Sequence, residues 1–418
     1  MNIISKLEEQ EMLRQKNTLN LIASENYPSP KVLSALGSVW SNKYGEGYPG
    51  KRYYAGNENT DEMEKYVQNL ALRVFDSTSS YGVNVQVLSG SAANAMVYLT
   101  VLDPEDTILS LNLANGGHLS HLHPTSNYNK FYKHETYDVK DTGNSIFEID
   151  LLDFAEKIQK CKPRLVIIGF SAYPRAYKFG LMCKIAHEAG CLVLADVAHI
   201  NGLIAGGLHD TPFGDGVEFA DFVSMTTHKT LRGPRGALLF AKKEFIDSIN
   251  KTIFPGTSGG PHFHQIAATG QCLLEILGED RYPDGHDFIS YLQTVLDTCK
   301  AFENQLKCHN IQIISPTETH LSLIKLPENV DSLEFQKKLE RIGIITNRNM
   351  IPFDTKSAWR PSGMRFGTAA LASRGLKNEG ALRVADIVAA ALYGSETEDI
   401  LAEKVLSMAQ SLNWWYSV

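Results

Sequence analysis

The stretch FVSMTTHKTLRGPRGALLF, residues 222–240, gives the clearest indication of the fold of this 418-residue chain. Two apolar runs, Phe222–Met225 and Ala237–Phe240, flank a loop that carries His228, Lys229 and two arginines. Short apolar runs bounded by turn residues are typical of buried strands, and parallel sheets bind ligands just beyond the carboxyl ends of their strands. The stretch therefore predicts a site that holds Lys229 at one edge of a sheet.

On either side of this stretch, short apolar runs alternate with helical patterns. The predicted elements are strands over Thr107–Leu111, Leu165–Gly169 and Cys191–Ala195, and helices over Leu151–Lys160 and Leu181–Ala189. Alternation of this kind is typical of a mostly parallel sheet with helices on both faces. The predicted fold class is therefore α/β.

A break in this rhythm at the sequence RYPDG, Arg281–Gly285, precedes a different pattern. The strand-like and helical runs that follow it are Asn310–Ser315, His320–Leu326, Ser332–Ile342, Ala381–Tyr393 and Asp399–Leu412. At this chain length one core rarely suffices. We expect a helical arm over residues 1–20, a large domain over 21–270 and a smaller α+β domain over 271–418.

Composition excludes several classes of protein. With 43% hydrophobic residues, 21% charged residues and a formal net charge of -7, the chain is too apolar to be disordered and has no basic footprint for nucleic acid. The uncharged stretch Ser77–Leu102 is long enough to span a membrane, but its polar residues and central Gly-Ser turn favour a strand, a turn and a helix. No signal segment is visible, and the six cysteines lack close pairing. We expect a cytoplasmic protein with reduced thiols, no membrane segment and no metal site.

Three parts of the sequence together suit pyridoxal phosphate (PLP). Lys229 can act as an amine nucleophile, and Asp196, at the end of the strand Cys191–Ala195, can accept the proton of a pyridine nitrogen. The segment LSGSAAN, Leu88–Asn94, runs into an alanine-rich helical stretch whose N-terminal N–H groups can face a phosphate. Taken singly, a loop lysine, a helix N-cap and a plain helix start explain these features as well. Their combination favours PLP.

The chain resembles the serine hydroxymethyltransferases. The matching segments are LIASENY (Leu21–Tyr27), NKYGEGYPGKRYYAGNE (Asn42–Glu58), LSGSAAN, NGGHLSH (Asn115–His121), SAY (Ser171–Tyr173), DVAHINGLIAGG (Asp196–Gly207), THKTLRGPRG (Thr227–Gly236), FPGTSGGPHFH (Phe254–His264) and PSGMRFGTAAL (Pro361–Leu371). The resemblance implies a PLP-dependent transferase-like, fold-type I large domain. It also implies reversible transfer of the hydroxymethyl group of L-serine to tetrahydrofolate, through a PLP external aldimine and a quinonoid, to give glycine and 5,10-methylenetetrahydrofolate.

The resemblance also implies a role for each matching residue. The catalytic residues would be Lys229, Glu46, Asp196, His118, Thr226, His228 and Tyr54. The cofactor would contact Ser89, Gly90, Ser91, His118, Ser171, Asp196, His199, Lys229, Tyr44, Gly259 and Gly260. The amino-acid substrate would contact Ser24, Tyr54, His199 and Arg365, and tetrahydrofolate would contact Glu46, Leu113, Gly117, Leu119 and Asn349. In this family the region around Glu46 and the pair Gly259-Gly260 serve the partner subunit's site, which implies an obligate homodimer and leaves tetramers open.

The sequence departs from the family's usual pattern near the folate contacts. Asn115 stands where histidine is usual, Leu122 and His123 stand where glycine is usual, and Ala55 replaces the second glycine of RYYGG. None of these changes removes a group that the chemistry requires, but each bears on folate binding or rate. Two alternatives therefore stay open: a folate-independent PLP aldolase or transaldolase acting on threonine-like 3-hydroxy amino acids, and a non-catalytic scaffold with the PLP fold.

Overall fold

The computed structural model describes residues 2–416. Its helices are α1 (Ile3–Lys16), α2 (Pro30–Leu36), α3 (Glu58–Phe75), α4 (Gly90–Val101), α5 (Leu151–Cys161), α6 (Phe179–Glu188), α7 (Asn201–Ala205), α8 (Ile246–Lys251), α9 (Phe263–Ile276), α10 (Phe288–Cys308), α11 (Ser332–Arg341), α12 (Ala369–Ser373), α13 (Asn378–Tyr393) and α14 (Glu398–Ser411). Its strands are β1 (Leu19–Asn20), β2 (Gly47–Tyr48), β3 (Lys51–Arg52), β4 (Tyr81–Asn84), β5 (Thr107–Leu111), β6 (Lys133–Tyr137), β7 (Val139–Asp141), β8 (Phe147–Ile149), β9 (Leu165–Ile168), β10 (Leu192–Asp196), β11 (Phe222–Thr226), β12 (Ala237–Lys242), β13 (Gln312–Ile313), β14 (Leu321–Lys325), β15 (Ile344–Ile345), β16 (Asn347–Asn349) and β17 (Gly363–Gly367).

The central sheet has seven strands in the order β4-β12-β11-β10-β9-β5-β6. β12 is antiparallel to both of its neighbours, while the pairs from β11 to β6 are parallel. Along β9, Val166 and Ile168 enter one apolar core and Leu165 and Ile167 enter another. Because successive side chains of a strand point to opposite faces, both faces of the sheet are buried. The predicted α/β class with a mostly parallel sheet is confirmed.

The carboxyl ends of β10 and β11 create the edge at which polar groups gather. Asp196 ends β10 and pairs in register with Ser224 of β11, so the two strands terminate at almost the same level. Helix α4 begins beside them: a Cβ added to Gly90 would lie 2.8 Å from Cγ2 of Thr226. Only glycine therefore lets the first turn of α4 approach the end of β11 so closely.

A second, antiparallel sheet has the order β13-β14-β17-β16 and packs with the C-terminal helices. Strand β1 pairs in parallel with β15, so a segment near the N-terminus packs with the C-terminal part of the chain. The long helix α10 links the two cores, since Leu292 packs in the first core and Phe302 and Leu306 in the second. Side chains from both sheets can therefore meet where the cores adjoin.

The uncharged stretch Ser77–Leu102 forms β4, a connecting loop and α4, as the sequence predicts. Its polar side chains are used within the fold: Asn94 of α4 is fully buried and hydrogen-bonded to Ser224 of β11. None of the helices in residues 2–416 is long and apolar enough to cross a membrane.

Candidate active site

A cavity of about 420 Å³ opens at the carboxyl ends of β10 and β11. Most of the residues that the sequence predicts for the site line it: Ser24, Ser89, Gly90, Ser91, Leu113, His118, Leu119, Ser171, Asp196, His199, Thr226, His228, Lys229, Asn349 and Arg365. These residues come from both sheets and from five or more connecting segments. The fold therefore gathers into one cavity groups that are far apart in the sequence.

Lys229 lies three residues beyond the end of β11 and is only 7% exposed. Burial lowers the pKa of its amine to about 8, with the Asp196 carboxylate opposing the shift and two arginines reinforcing it. The Asn26 amide donates a hydrogen bond to the backbone carbonyl of Lys229 at 2.8 Å, which fixes this part of the loop. A lysine with such a pKa has a sizeable neutral fraction near neutral pH and can attack a carbonyl carbon.

Asp196 is held as a carboxylate by two donors that the sequence reasoning did not identify. Its Oδ2 accepts hydrogen bonds from Asn94 Nδ2 at 2.8 Å and pairs with His121 Nε2 at 2.9 Å. Burial favours a raised pKa for this carboxyl, but the hydrogen bond and charge of His121 outweigh it and hold the pKa well below its usual range. Both donors lie in motifs that carry the family resemblance, LSGSAAN and NGGHLSH, and that was the one available signal.

His118 presents a neutral, flat ring to the cavity. Its Nδ1 accepts a hydrogen bond from the backbone N–H of Ser120 at 3.1 Å, and the Ser120 hydroxyl lies 2.7 Å from the same nitrogen. Burial lowers the pKa of His118 to about 4, so the ring is uncharged near neutral pH. A neutral imidazole held in this way is suited to stacking on another aromatic ring.

The start of α4 fits an anion such as phosphate. Ser89 is the N-cap of this helix and accepts a hydrogen bond from the N–H of Ala92, which leaves the N–H groups of the first turn at the cavity. Nearby, burial lowers the pKa of His228 to about 3, and its Nδ1 is buried without a hydrogen-bond partner among residues 2–416. The free N–H groups of a helix N-terminus supply donors and positive potential for an anion.

Arg365 brings a buried positive charge from β17 of the second sheet. Its Nη1 donates to the carbonyl of Ser171 at 2.7 Å, and its Nε donates to Oδ1 of Asn347 at 3.2 Å. Burial alone lowers the pKa of its guanidinium to about 10, so it stays protonated near neutral pH. A buried guanidinium facing a cavity is suited to a carboxylate ligand, which it can hold by two parallel hydrogen bonds.

His199 is paired with a histidine from the second sheet region that sequence reasoning missed. Its Nδ1 lies 3.1 Å from Nε2 of His320, and the two buried rings stack with centroids 5.3 Å apart. Burial lowers the pKa of His320 to about 3 and that of His199 well below its ordinary value. In this hydrogen bond one of the two facing nitrogens carries the proton and the other accepts it, which a neutral imidazole can do with either of its nitrogens. His320 precedes β14 and offered no local signal.

A second group of predicted residues lies outside this cavity. Tyr44 donates a hydrogen bond to Glu46 Oε1 at 2.9 Å, and the rings of Tyr44 and Tyr54 lie 5.2 Å apart. Gly259 and Gly260 lie against them, since an added Cβ would fall 3.3 Å from Glu46 Oε1 and 2.7 Å from the Tyr44 ring. We call these five residues the Glu46 cluster. Within one chain it does not line the cavity that holds Lys229.

Gly117 also lies outside the residues that line the cavity, although it supports one of them. Its carbonyl accepts a hydrogen bond from the Ser171 hydroxyl at 2.6 Å. An added Cβ at Gly117 would come within 3.1 Å of the carbonyl oxygen of Asn112, so a side chain has no room there. Gly117 therefore allows the turn after β5 to fold back against the carbonyl groups at the end of that strand.

These features together fit PLP. The buried amine of Lys229, the ionised carboxylate of Asp196, the flat ring of His118 and the anion-binding start of α4 match the aldehyde, ring nitrogen, ring face and phosphate of that cofactor. A comparison with protein families agrees with this assignment. The model of the family described as serine hydroxymethyltransferase matches residues 2–388 of the 418-residue chain.

Proposed function

The chain belongs to the serine hydroxymethyltransferase family of fold-type I enzymes, which use PLP and take tetrahydrofolate as co-substrate, and we propose a specific reaction for it. It transfers the hydroxymethyl group of L-serine to tetrahydrofolate, reversibly, and gives glycine, 5,10-methylenetetrahydrofolate and water. The observation that carries this proposal is the meeting of Lys229, Asp196 and Arg365 in one cavity. A scaffold without activity has no use for a buried lysine of lowered pKa beside a buried, protonated arginine.

Bound PLP supplies an electron sink that stabilises negative charge on the α-carbon of the amino acid. Lys229 would hold the aldehyde end of the cofactor through its amine, which burial keeps partly unprotonated. Asp196 would keep a proton on the ring nitrogen, because its own carboxyl stays ionised under the influence of His121. His118 would lie against the ring, and Ser89, Gly90 and Ser91 at the start of α4 would hold the phosphate.

The amino-acid substrate binds through its carboxylate to Arg365, with Ser24 beside it. The hydrogen bonds from Arg365 to Ser171 and Asn347 hold the guanidinium in place before the substrate arrives. Ser171 and His199, which line the cavity, would lie near the phenolic oxygen of the cofactor and the substrate, and Thr226 and His228 would line the reacting face. Preorganised charge of this kind costs little reorganisation during the reaction.

Glu46 moves the proton of the serine hydroxyl and of the folate, with Tyr54 next to it. Within one chain Glu46 lies outside the cavity, so this role requires the Glu46 cluster of one subunit to reach the cavity of another. We therefore propose an obligate homodimer in which Tyr44, Glu46, Tyr54, Gly259 and Gly260 complete the partner's site. The exposure of Tyr44 and Tyr54, about half of each side chain, supports this proposal.

Tetrahydrofolate binds between two walls of the cavity. Leu113 and Leu119 lie on one wall, with Gly117 behind them, and Asn349 lies on the other at the end of β16. We call this space the folate pocket. Its neighbours Asn115, Leu122 and His123 depart from the family's usual residues, and those departures favour a second candidate, folate-independent cleavage of threonine-like 3-hydroxy amino acids.

The test is an assay of the purified protein with PLP and serine, with and without tetrahydrofolate. We expect glycine to form from serine at a rate that depends on the tetrahydrofolate concentration, with matching formation of methylenetetrahydrofolate. Cleavage of a threonine-like substrate needs no folate and serves as the internal control. Serine turnover that ignores tetrahydrofolate, beside brisk cleavage of the threonine-like substrate, would replace the hydroxymethyltransferase reaction with the second candidate.

A further inference from the structure

We propose that Asn115 is a positioning residue that ties the two walls of the folate pocket together and thereby sets its affinity for tetrahydrofolate. This inference rests on the proposed function. Asn115 belongs to the turn after β5 that carries Leu113, and it is only 4% exposed. Its side chain reaches across to the segment that follows Asn349. The sequence indicates only that this residue replaces the family's usual histidine near the folate contacts, and it assigns no contact or role to the side chain.

The Asn115 amide makes two hydrogen bonds in opposite directions. Its Nδ2 donates to Oδ1 of Asp138 at 2.6 Å, and its Oδ1 accepts from the backbone N–H of Phe353 at 3.0 Å. Asp138 connects β6 with β7 beside the central sheet, whereas Phe353 follows β16 of the second sheet. The Asn115 side-chain amide thus donates a hydrogen bond to a residue beside the central sheet and accepts one from a residue that follows a strand of the second sheet.

The segment held by this bond, residues 350–362, has an internal structure of its own. The Asp354 carboxylate accepts hydrogen bonds from the N–H and the hydroxyl of Ser362, at 2.7 and 2.8 Å, and closes the segment on itself. Its ends are fixed because Asn349 pairs with Gly363 in the register of β16 and β17. Phe353 has a positive φ of 58°, a conformation that a bulky residue holds only with support from its surroundings. The backbone N–H of Phe353 donates the hydrogen bond that the Asn115 side chain accepts.

The same segment forms part of a second cavity, of about 370 Å³, beside the first. Leu113 and His118 line both cavities, and Met350 and Ala358 of residues 350–362 line the second. The spacing between Leu113 and Met350 therefore depends on what joins the turn after β5 to this segment. Phe353 also contacts Phe147 of β8, with the ring centroids 6.1 Å apart, so its ring packs against a different part of the chain from the turn after β5. That contact is apolar and lacks the directional control of a hydrogen bond.

The residues that hold the amino acid do not bond to the Asn115 side chain in residues 2–416. Arg365 donates to Ser171 and Asn347, and the carbonyl of Lys229 accepts from Asn26. Loss of the tether should therefore weaken tetrahydrofolate binding and leave folate-independent cleavage intact. A residue that only stabilises the fold would affect both reactions alike.

The experiment compares Asn115→Ala with the wild-type holoenzyme. We expect the KM for tetrahydrofolate to rise about 5- to 50-fold, less than the full free energy of the two lost hydrogen bonds, because these bonds lie within the protein and act on the ligand only through the spacing of the pocket walls. Folate-independent cleavage of the threonine-like substrate should stay within about twofold, since it does not use the pocket. Hydrogen–deuterium exchange in residues 350–362 should become faster in the variant, and this readout does not depend on activity.

Two matched variants separate the tether from general loss of packing. Asn115→Asp keeps the acceptor for Phe353 but places a carboxylate against Asp138, and we expect it to be at least as impaired as Asn115→Ala. Combining Asn115→Asp with Asp138→Asn exchanges donor and acceptor across the same bond, and should return the KM to within about threefold of the wild type. Phe353→Ala removes the ring contact but keeps the N–H, and should change the KM less than Asn115→Ala does.

The outcomes distinguish this inference from the proposed function. If the wild type does not use tetrahydrofolate, the proposed function is wrong and this inference is wrong with it. If the wild type uses tetrahydrofolate and Asn115→Ala keeps the wild-type KM, the inference alone is overturned. It is also overturned if Asn115→Ala slows the folate-dependent and folate-independent reactions by the same factor, or if the donor–acceptor exchange gives no recovery.

Discussion

The cavity around Lys229 and the Glu46 cluster hold similar polar groups in opposite surroundings. Lys229 is 7% exposed, and its pKa is lowered by burial, whereas Tyr44 of the Glu46 cluster is 53% exposed. In the cavity, Asp196 is held by two buried donors; in the cluster, Glu46 is held by an exposed tyrosine. Charges and hydrogen bonds are much stronger in a desolvated site than in water. The cavity is therefore prepared for chemistry within one chain, and the Glu46 cluster acquires a comparable environment only when another surface covers it.

A mixing experiment with two variants tests whether the Glu46 cluster of one chain completes the cavity of another. Lys229→Ala removes the amine from the cavity, and Glu46→Gln removes a titratable proton from the cluster while keeping its shape. We expect each variant alone to lose about 10²–10⁴-fold or more of the folate-dependent turnover of serine. Refolded or co-expressed together, they should regain about a quarter of the wild-type activity, because half the dimers are mixed and each mixed dimer has one intact site.

The control variant in the mixing experiment is Lys243→Ala. It removes an exposed lysine that directly follows β12, and it should be fully active alone. Cleavage of threonine-like substrates by Glu46→Gln should persist, since that reaction needs no folate. Activity that stays at the level of the single variants after mixing, with mixed dimers demonstrated, would mean that Glu46 acts in its own chain or not at all.

Arg365→Ala tests the cavity itself, because it removes the buried guanidinium that is proposed to bind the amino-acid carboxylate. Loss of a buried, charge-assisted contact costs about 2–5 kcal/mol, so the affinities for serine and glycine should fall roughly thirtyfold to several-thousandfold. PLP should stay bound, because Arg365 lies on β17 and the proposed cofactor contacts lie on other segments. Titration with glycine, followed by the visible absorption of bound PLP, measures this. Arg341→Ala, which removes an exposed ion pair with Glu398, is the control and should change little; equal behaviour of the two variants would refute the role of Arg365.

Burial of Lys229 should also change how the free energy of unfolding depends on pH. The pKa of Lys229 is lowered from 10.5 to about 8 in the folded chain, so the unfolded chain binds more protons between these values. The free energy of unfolding of the cofactor-free protein should therefore rise with pH from about 8 to 10.5, by about 3 kcal/mol more than in Lys229→Met. Urea unfolding of both proteins across this range measures the difference. Parallel pH profiles would show that Lys229 titrates like an exposed lysine.

Much of the architecture follows from local pattern. The apolar run Thr107–Leu111 forms β5 with the predicted bounds, and Ser332–Ile342 forms α11 one residue shorter. The predicted strand Asn310–Ser315 is reduced to the two residues of β13, because its ends leave the sheet at residues with positive φ, Asn310 and Ser315. Runs whose periodicity continues through the element were thus predicted well, and runs that end in unusual backbone conformations were not.

Some residues of the candidate site could be predicted from the sequence and others could not. Lys229, Asp196 and Arg365 stand in motifs that the resemblance to the family identifies, and the structure brings them to one cavity. His121 and His320 were missed, since their partners Asp196 and His199 are 75 and 121 residues away along the chain. Nothing in the spacing of residues indicates contacts of such length.

Local sequence patterns specify the α/β class, the position of Lys229 at the end of a strand and the family, because burial imposes a period on each strand and helix and the motifs are contiguous. The packing of whole elements places His121 against Asp196, Asn115 between Asp138 and Phe353, and the Glu46 cluster apart from the cavity of its own chain. Contacts of this second kind depend on how whole elements pack against each other. A hydrogen bond forms only when packing brings donor and acceptor to within about 3 Å, and local patterns carry no record of that distance.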